Sequence, residues 1–202
     1  MHPAIGVVVG YILGSIPFAY LAGRIRGIDL REHGSGNLGA TNVYRTLGGR
    51  VAAVVFLLDL LKGAVPVWMV IRFGQGDHIL GWAIAAGAAA IAGHAKPIFL
   101  LWRGGGKGVA TATGVFLALA PVPTVLAMAS WVAVVALSGY VSLGSLVAAV
   151  ALPIAIAALL GVHAIVFPVS LALAVFVFWS HRANIARLRR GEEHRFGRKA
   201  SA

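Results

Sequence analysis

The sequence predicts an all-α integral membrane protein with about seven transmembrane helices. Of its 202 residues, 59% are hydrophobic and only 11% are charged, and its mean hydropathy is +0.89. This composition lies outside the range of ordinary soluble domains. A helix needs about 20 mostly apolar residues to cross a bilayer, so seven spans take up most of the chain. We therefore expect residues 1–202 to form a single multi-span membrane domain.

Three spans are predicted in the first half of the chain, at about residues 4–23, 51–71 and 79–93. The first carries Gly6, Gly10 and Gly14 at every fourth position, a spacing that lets a neighbouring helix pack closely. No basic segment precedes it, so we expect a retained helix and not a cleaved signal peptide. The second contains Asp59 and Lys62, which are three positions apart and can pair along one helix. Charges at that depth indicate either an ion pair that locks the helix or support for a site.

A continuous apolar tract over residues 109–179 forms most of the second half. Turn signals at residues 121–123, 138–140 and 161–163 divide this tract into four helices. The first of the four, at about residues 108–120, is short for a complete crossing. With the three earlier spans, the count reaches seven.

The basic residues predict the orientation. If the N-terminus is outside, 15 of the 17 Lys and Arg residues fall on the cytoplasmic side of the membrane. The two exceptions are Lys62 and Arg72. Those 15 are Arg24, Arg26, Arg31, Arg45, Arg50, Lys96, Arg103, Lys107, Arg182, Arg187, Arg189, Arg190, Arg195, Arg198 and Lys199. Cytoplasmic loops are enriched in Lys and Arg, so we expect an external N-terminus and a cytoplasmic C-terminus. The net charge of +11 then indicates orientation and contact with anionic lipid, and not nucleic acid. We expect Arg189, Arg190, Arg198 and Lys199 to anchor the tail at the membrane surface.

The first polar segment with candidate chemistry is GSGNLGATN, residues 34–42, followed by an arginine. Glycines allow backbone N–H groups to converge on an anion, and hydroxyl and amide side chains add further donors. The residues concerned are Gly34, Ser35, Gly36, Asn37, Thr41, Asn42 and Arg45. The segment is suited to binding a phosphate; the alternative is a flexible surface loop.

The second segment is WRGGGKG, residues 102–108. It is not a Walker A motif, because Leu101 and Gly108 occupy the positions that require Gly and Ser or Thr, so nucleotide hydrolysis is excluded. Gly104, Gly105 and Gly106 place bare backbone amides beside Lys107, at the start of an apolar helix whose N-terminal dipole favours anions. The alternative is a plain connection between helices.

The third segment, residues 181–193, continues the last span out of the membrane. His181 and Asn184 fall at the membrane border and are candidate site residues, whereas Glu192 and Glu193 are expected further out in the tail. Ser142 and Ser145 lie in a turn on the same predicted side. His94 is either a ligand or base, or a helix-end histidine bonded within the fold. The chain has no Cys and no zinc-type His spacing, so we expect no metal and no cofactor.

Together the three motifs resemble the bacterial acyl-phosphate:glycerol-3-phosphate acyltransferase family, PlsY. They read GSGNLGATNVYRTLG (residues 34–48), GHAKPIFLLWRGGGKGVAT (residues 93–111) and HRANIARLRRGEE (residues 181–193). The family usually has two glycines before its lysine, whereas this chain has three, which leaves open which two correspond. The resemblance implies acyl transfer from acyl-phosphate to the 1-hydroxyl of glycerol 3-phosphate, which yields lysophosphatidic acid and phosphate. It also implies a bacterial plasma (inner) membrane enzyme with a cytoplasmic active site, in contact with membrane lipid and expected to be a monomer.

On this interpretation Lys107, His181, Asn184, Ser35 and Thr41 are the catalytic candidates. The substrate-binding candidates are Gly34, Gly36, Asn37, Asn42, Arg45, Gly104, Gly105, Gly106, Ser142 and Ser145. None of the seven histidines has Asp five positions later, which argues against a His–Asp acyltransferase mechanism. The acceptor proton goes either to His181 or to the phosphate of the donor, and the scarcity of carboxylates in the motifs favours the phosphate. A transporter of an anionic phosphorylated metabolite is the alternative function.

Overall fold

The protein is described by a computed structural model that covers residues 1–196. This part of the chain is helical and contains no β-strand. Arg198 and Lys199, two of the predicted tail anchors, lie outside the described residues. The chain divides into two compact units, with the boundary after Leu119. Whether all 202 residues act as one membrane domain stays a prediction.

The N-terminal unit contains six α-helices. They are α1 (Pro3–Gly14), α2 (Phe18–Ile25), α3 (Ala40–Leu47), α4 (Gly49–Phe73), α5 (Ile79–Ala95) and α6 (Val109–Leu119), with a 3-10 turn at Ile98–Leu100. α1 packs mainly on α5, while α4 contacts both α5 and α6.

The C-terminal unit contains four helices within its described residues: α7 (Pro121–Ser138), α8 (Val141–Leu160), α9 (Val166–Ser180) and α10 (Arg182–Arg189). The predicted turn signals are confirmed. Pro121 begins α7, where its missing N–H is no loss, and Gly139 ends that helix with a φ of 76°. α9 and α10 meet at an angle of 60°.

Five segments are long and apolar enough to cross a membrane: Pro3–Ile25, Gly49–Phe73, Ile79–Leu100, Pro121–Ser138 and Val141–Leu160. α9 and α10 make a sixth if they are counted as one bent span. α6 has 11 residues, hence a length of about 16 Å against a hydrocarbon core of about 30 Å. The prediction of an all-helical integral membrane protein is confirmed. Two short helices account for the difference from seven spans: α6, and α9, which counts as a span only together with α10.

The glycine face of α1 packs against α5, as its spacing predicts. A Cβ atom at Gly10 would lie 2.4 Å from the carbonyl oxygen of Ala86, and one at Gly14 would lie 2.2 Å from that of Ala90. Only glycine allows the two backbones to approach so closely.

The predicted ion pair inside α4 is also present. Lys62 Nζ lies 2.8 Å from Asp59 Oδ1, and both side chains are almost fully buried. Lys62 also donates a hydrogen bond of 2.9 Å to the carbonyl of Ile16, in the break between α1 and α2. The pair therefore ties α4 to a point where the first membrane span is interrupted.

The polar segment after α2 differs from the prediction in one respect. Residues from Ala40 onward form helix α3, so that Thr41, Asn42 and Arg45 lie on a helix and not in a loop. The physical reason is that no Gly or Pro interrupts the chain between Gly39 and Gly48, and Val43 is fully buried on the inner face.

Candidate active site

The side chain of Asn42 determines the shape of the first motif. Its Oδ1 accepts a hydrogen bond of 2.9 Å from the N–H of Ser35, and its Nδ2 donates to the carbonyls of Leu30 (3.2 Å) and His33 (3.0 Å). Both amide hydrogens are therefore used inside the protein, so Asn42 organises the loop instead of donating to a ligand. Gly34 has a φ of 62°, and a Cβ there would lie 2.3 Å from Asn42 Oδ1.

The remaining polar groups of the first motif are more accessible. Ser35 and Arg45 are exposed, while Gly36, Asn37 and Thr41 are partly buried. The exposed Ser35 hydroxyl and Arg45 guanidinium are the kinds of group that bind phosphate oxygens.

The structure brings the first and second motifs together at Gly105. Its carbonyl oxygen accepts hydrogen bonds from the backbone N–H of Leu38 (3.3 Å) and from Asn37 Nδ2 (3.5 Å). Two segments that each favour anions on sequence grounds thus share one backbone contact. A flexible surface loop, the alternative for the first motif, does not fit this geometry.

The glycines of the second motif permit a tight path for the chain. A Cβ at Gly105 would lie 2.2 Å from the carbonyl oxygen of Ala95, and Gly104 has a φ of 80°. Lys107 follows, partly buried, two residues before α6 begins.

A small cleft lies beside these glycines. Its walls include Ser15, Leu38, Asp59, Lys62, His94, Gly105 and Gly106. His94 is 6% exposed, and its Nδ1 lies 3.7 Å from Asp59 Oδ1. The sequence left His94 open between two roles, and the structure places it inside the fold, against the second motif.

Arg31 adds a charge close to both motifs, but a neighbouring carboxylate neutralises it. Its Nε lies 3.0 Å from Asp29 Oδ1, and its guanidinium also stacks on the Tyr20 ring, 4.9 Å from the centroid. Hydrogen bonds from the side chain and the backbone N–H of Arg31 lower the pKa of the Asp29 carboxyl to about 2. Arg31 is thus paired within the protein.

The C-terminal unit contains a second cluster of polar side chains, which is centred on Glu193. This carboxylate accepts hydrogen bonds from Ser142 Oγ (3.1 Å), Asn184 Nδ2 (2.8 Å) and Arg187 Nε (2.7 Å). Burial alone would raise the pKa of the Glu193 carboxyl, but these hydrogen bonds outweigh it, and the pKa lies below its ordinary value. Glu193 therefore holds Ser142 and Asn184 in fixed positions as a charged acceptor.

The expectation that Glu193 lies out in the tail is wrong. Gly191, with a φ of 71°, turns the chain after α10, and Glu193 returns to the helices with an exposure of 7%. Glu192 does stay outside, where it pairs with Arg190 at 2.7 Å. The only sequence signal for this return is a glycine followed by a carboxylate close to an Asn and an Arg.

His181 and Ser145 complete the predicted residues of this unit. His181 Nδ1 lies 2.8 Å from the carbonyl oxygen of Val177, which can only accept, so this nitrogen carries the proton. In the neutral ring Nε2 is then the basic nitrogen. Ser145 donates to the carbonyl of Val141 (2.9 Å) and accepts from Trp131 Nε1 (3.3 Å).

Within residues 1–196 no group of three or more His, Cys, Asp or Glu side chains has an arrangement that could hold a metal ion.

Comparisons with known proteins agree over nearly the whole chain. The sequence-family model for glycerol-3-phosphate acyltransferase matches residues 4–191. A glycerol-3-phosphate acyltransferase of Geobacter sulfurreducens is 46% identical over 93% of this chain and 94% of its own length. One from a Synechococcus strain is 47% identical over 96% and 95% of the two chains.

Solved structures give the same result. A crystal structure of PlsY, an integral membrane glycerol 3-phosphate acyltransferase, in its glycerol 3-phosphate form is similar, with a TM-score of 0.88. It is 37% identical and covers 96% of each chain. The lysophosphatidic acid form has a TM-score of 0.85 at 36% identity and covers 96% of this chain and 95% of the other.

The Glu193 cluster yields a prediction about stability. Glu193→Gln removes the charge to which three groups donate, so we expect the free energy of unfolding to fall by about 1–3 kcal/mol, with a lower midpoint of thermal unfolding in detergent. Because the folded pKa is depressed, the stabilisation is present above the ordinary pKa of 4.5 and is lost as the pH falls through the folded value. The difference between parent and variant should therefore shrink below about pH 4.5. Glu192→Gln, at an exposed position, is the matched control and should change little; equal effects at both positions would contradict the prediction.

Proposed function

Because the chain belongs to the glycerol-3-phosphate acyltransferase family, we propose that it moves a fatty acyl group from an acyl-phosphate to the 1-hydroxyl of glycerol 3-phosphate. The products are lysophosphatidic acid and inorganic phosphate, in the first step of phospholipid synthesis. The observation that supports this most directly is the shared contact at Gly105, which joins two anion-suited motifs beside apolar helices. Both substrates carry phosphate, and the donor also carries a long acyl chain.

The reaction balances without a cofactor. The 1-hydroxyl oxygen attacks the carbonyl carbon, an ester bond forms, and the bond from that carbon to the phosphate oxygen breaks. Phosphate leaves with the bonding electron pair, and the hydroxyl proton goes either to phosphate or to His181. Backbone N–H groups and Lys107 are suited to stabilise the negative charge that develops on the carbonyl oxygen or on the departing phosphate.

Binding of the acyl-phosphate is assigned to Gly104, Gly105, Gly106 and Lys107. Gly106 acts through the shape of the turn, because its own N–H already donates to the carbonyl of His94. Three observations support this: the close backbone packing of these glycines, their position next to an apolar helix, and the positive charge that follows them. Hydrogen-bond donors stabilise a developing negative charge best when they are already in place before that charge forms.

Binding of the acyl acceptor, glycerol 3-phosphate, is assigned to the first motif. Arg45 and Ser35 are exposed on the same segment, and an Arg fork matches two phosphate oxygens at once. Thr41 and Asn37 are assigned as supporting donors, with Gly34 and Gly36 allowing the turns. Asn42 acts through the shape of the loop.

Hydrogen bonding to the 1-hydroxyl of glycerol 3-phosphate is assigned to His181 and Asn184, with Ser142 and Ser145 as supporting residues. We favour proton transfer to the donor's own phosphate, with His181 orienting the hydroxyl. In the neutral ring Nδ1 donates to the carbonyl of Val177, which orients the imidazole and leaves Nε2 to hydrogen-bond the acceptor hydroxyl.

We also propose a membrane topology for the chain. Seven spans, with α6 as a short fourth one, place the N-terminus outside and the three motifs at the cytoplasmic face of a bacterial inner membrane. The protein acts there as a monomer and as one membrane domain, in contact with membrane lipid.

The decisive assay supplies the purified protein with acyl-phosphate and labelled glycerol 3-phosphate. Labelled lysophosphatidic acid and one equivalent of phosphate are expected, and acyl-CoA in place of acyl-phosphate should give no product. A transporter would move labelled glycerol 3-phosphate into vesicles and form no labelled lipid, which would refute the proposal.

Lys107→Ala should lower kcat/KM for acyl-phosphate by about 10²- to 10³-fold, because it removes the ammonium from a preorganised anion site. The thermal midpoint should stay close to that of the parent. Lys96→Ala, at an exposed position outside the site, is the control. Near-normal turnover in Lys107→Ala would remove Lys107 from the site.

Arg45→Lys should raise the KM for glycerol 3-phosphate by about tenfold or more, since a lysine keeps the charge and loses the bidentate fork. Arg50→Lys is the control for a nearby exposed arginine. An unchanged KM would assign Arg45 to the lipid surface instead.

His181→Gln keeps hydrogen bonding but cannot take up a proton near neutral pH. If the substrate phosphate accepts the proton, the variant should keep activity within about tenfold and the pH dependence of the parent, as measured by kcat against pH. A fall of about a thousandfold together with a lost pH dependence would make His181 the base.

A further inference from the structure

His94 lies directly beneath the second motif, although it belongs to none of the groups assigned above. A Cβ atom at Gly106 would lie 1.9 Å from His94 Nε2 and 2.6 Å from Cε1, so the imidazole ring rests against the Cα of Gly106. The backbone contact is equally direct, because the N–H of Gly106 donates a hydrogen bond of 3.2 Å to the carbonyl of His94. Ring and backbone of one residue therefore support the same glycine.

The neighbouring peptide is held from the other side as well. The Gly105 carbonyl accepts from Leu38 N–H and Asn37 Nδ2, and Gly105 packs closely on the carbonyl of Ala95. The Gly105–Gly106 peptide is thus clamped between the first motif and the end of α5.

The His94 ring in turn faces the ion pair in α4. His94 Nδ1 lies 3.7 Å from Asp59 Oδ1, and Asp59 is held by Lys62 Nζ at 2.8 Å. Lys62 is fixed by the carbonyl of Ile16 at 2.9 Å. A continuous series of contacts therefore runs from the break between α1 and α2, through α4 and α5, to the glycines.

A structural purpose alone does not explain this choice of residues. Asp59, Lys62 and His94 are 2%, 6% and 6% exposed. Removing charged and polar groups from water costs free energy, and apolar side chains of similar size commonly stabilise a buried contact at least as well. Three such groups line a cleft that reaches Gly105 and Gly106. Their presence indicates that the backbone of those two glycines must be held in an exact orientation.

We propose that His94, which packs against Gly106, is a positioning residue that fixes the Gly105–Gly106 backbone for the phosphate of the acyl donor. This inference rests on the proposed function and deepens it by separating the donor machinery from the acceptor machinery. Reactive groups must be held to within a fraction of an ångström, and a displacement of about 1 Å can cost a hundredfold in rate. Loss of His94 should therefore weaken handling of the donor and leave handling of glycerol 3-phosphate intact.

The first test compares kinetic constants for the two substrates in His94→Gln. We expect the KM for acyl-phosphate to rise, or kcat/KM for acyl-phosphate to fall, by about 10- to 100-fold. The KM for glycerol 3-phosphate should stay within about twofold. His163→Gln, at an exposed histidine in the turn between α8 and α9, is the matched control and should behave like the parent.

The second test uses the predicted collision between Gly106 and His94. Gly106→Ala alone should abolish measurable turnover, because its methyl group meets the imidazole ring. In His94→Ala the ring is gone, so adding Gly106→Ala should cost less than about tenfold further. Such non-additivity in kcat/KM for the donor is the signature of direct coupling.

Several outcomes would overturn the inference. Equal changes in both KM values, or a lower thermal midpoint with unchanged kinetic constants, would make His94 a purely structural residue. Additive losses in the double variant would separate His94 from Gly106. The KM comparison in His94→Gln decides the question even if His94→Ala does not fold. Failure of the parent protein to use acyl-phosphate would instead refute the proposed function, before any variant is measured.

Discussion

The N-terminal unit depends on the buried ion pair between Asp59 and Lys62. Inside a membrane every polar group must find a partner within the protein, because the hydrocarbon offers none. The Lys62 ammonium contacts both the Asp59 carboxylate and the carbonyl of Ile16, which lies in the break between α1 and α2. The pair thus connects a broken membrane span to α4, and Asp59 in turn reaches His94, on which the second motif rests.

Glycine supplies the second constraint on this unit. At Gly10 and Gly14 it lets α1 approach α5, and at Gly63 it lets α4 approach α6, where a Cβ would lie 2.1 Å from the Thr111 carbonyl. The same property is used at Gly106 for a different purpose, to bring the Cα of that residue against the imidazole ring of His94. The close packing of the helices and the geometry of the motif thus both require a residue without a side chain.

In the C-terminal unit a buried carboxylate likewise orients the polar side chains around it. Glu193 gathers a hydroxyl, an amide and a guanidinium around one charged acceptor. Charge-assisted hydrogen bonds of this kind are stronger than neutral ones, and they fix both partners. Each unit therefore contains one buried acidic residue, Asp59 or Glu193, that orients the polar side chains around it.

The sequence by itself determined the helical class, the order of the apolar segments and the turns that end them. It also predicted the glycine face of α1, the pairing of Asp59 with Lys62 and the three motifs, because each of these depends on spacing over a few residues along one helix or loop. Only the tertiary structure decided that Asn42 holds its loop, that Asn37 reaches Gly105, that Gly106 rests on His94 and that Glu193 returns to Ser142. These contacts join residues as many as 68 positions apart, as between Asn37 and Gly105. No local periodicity records such a contact, because it forms only when the packing of whole helices brings distant segments together.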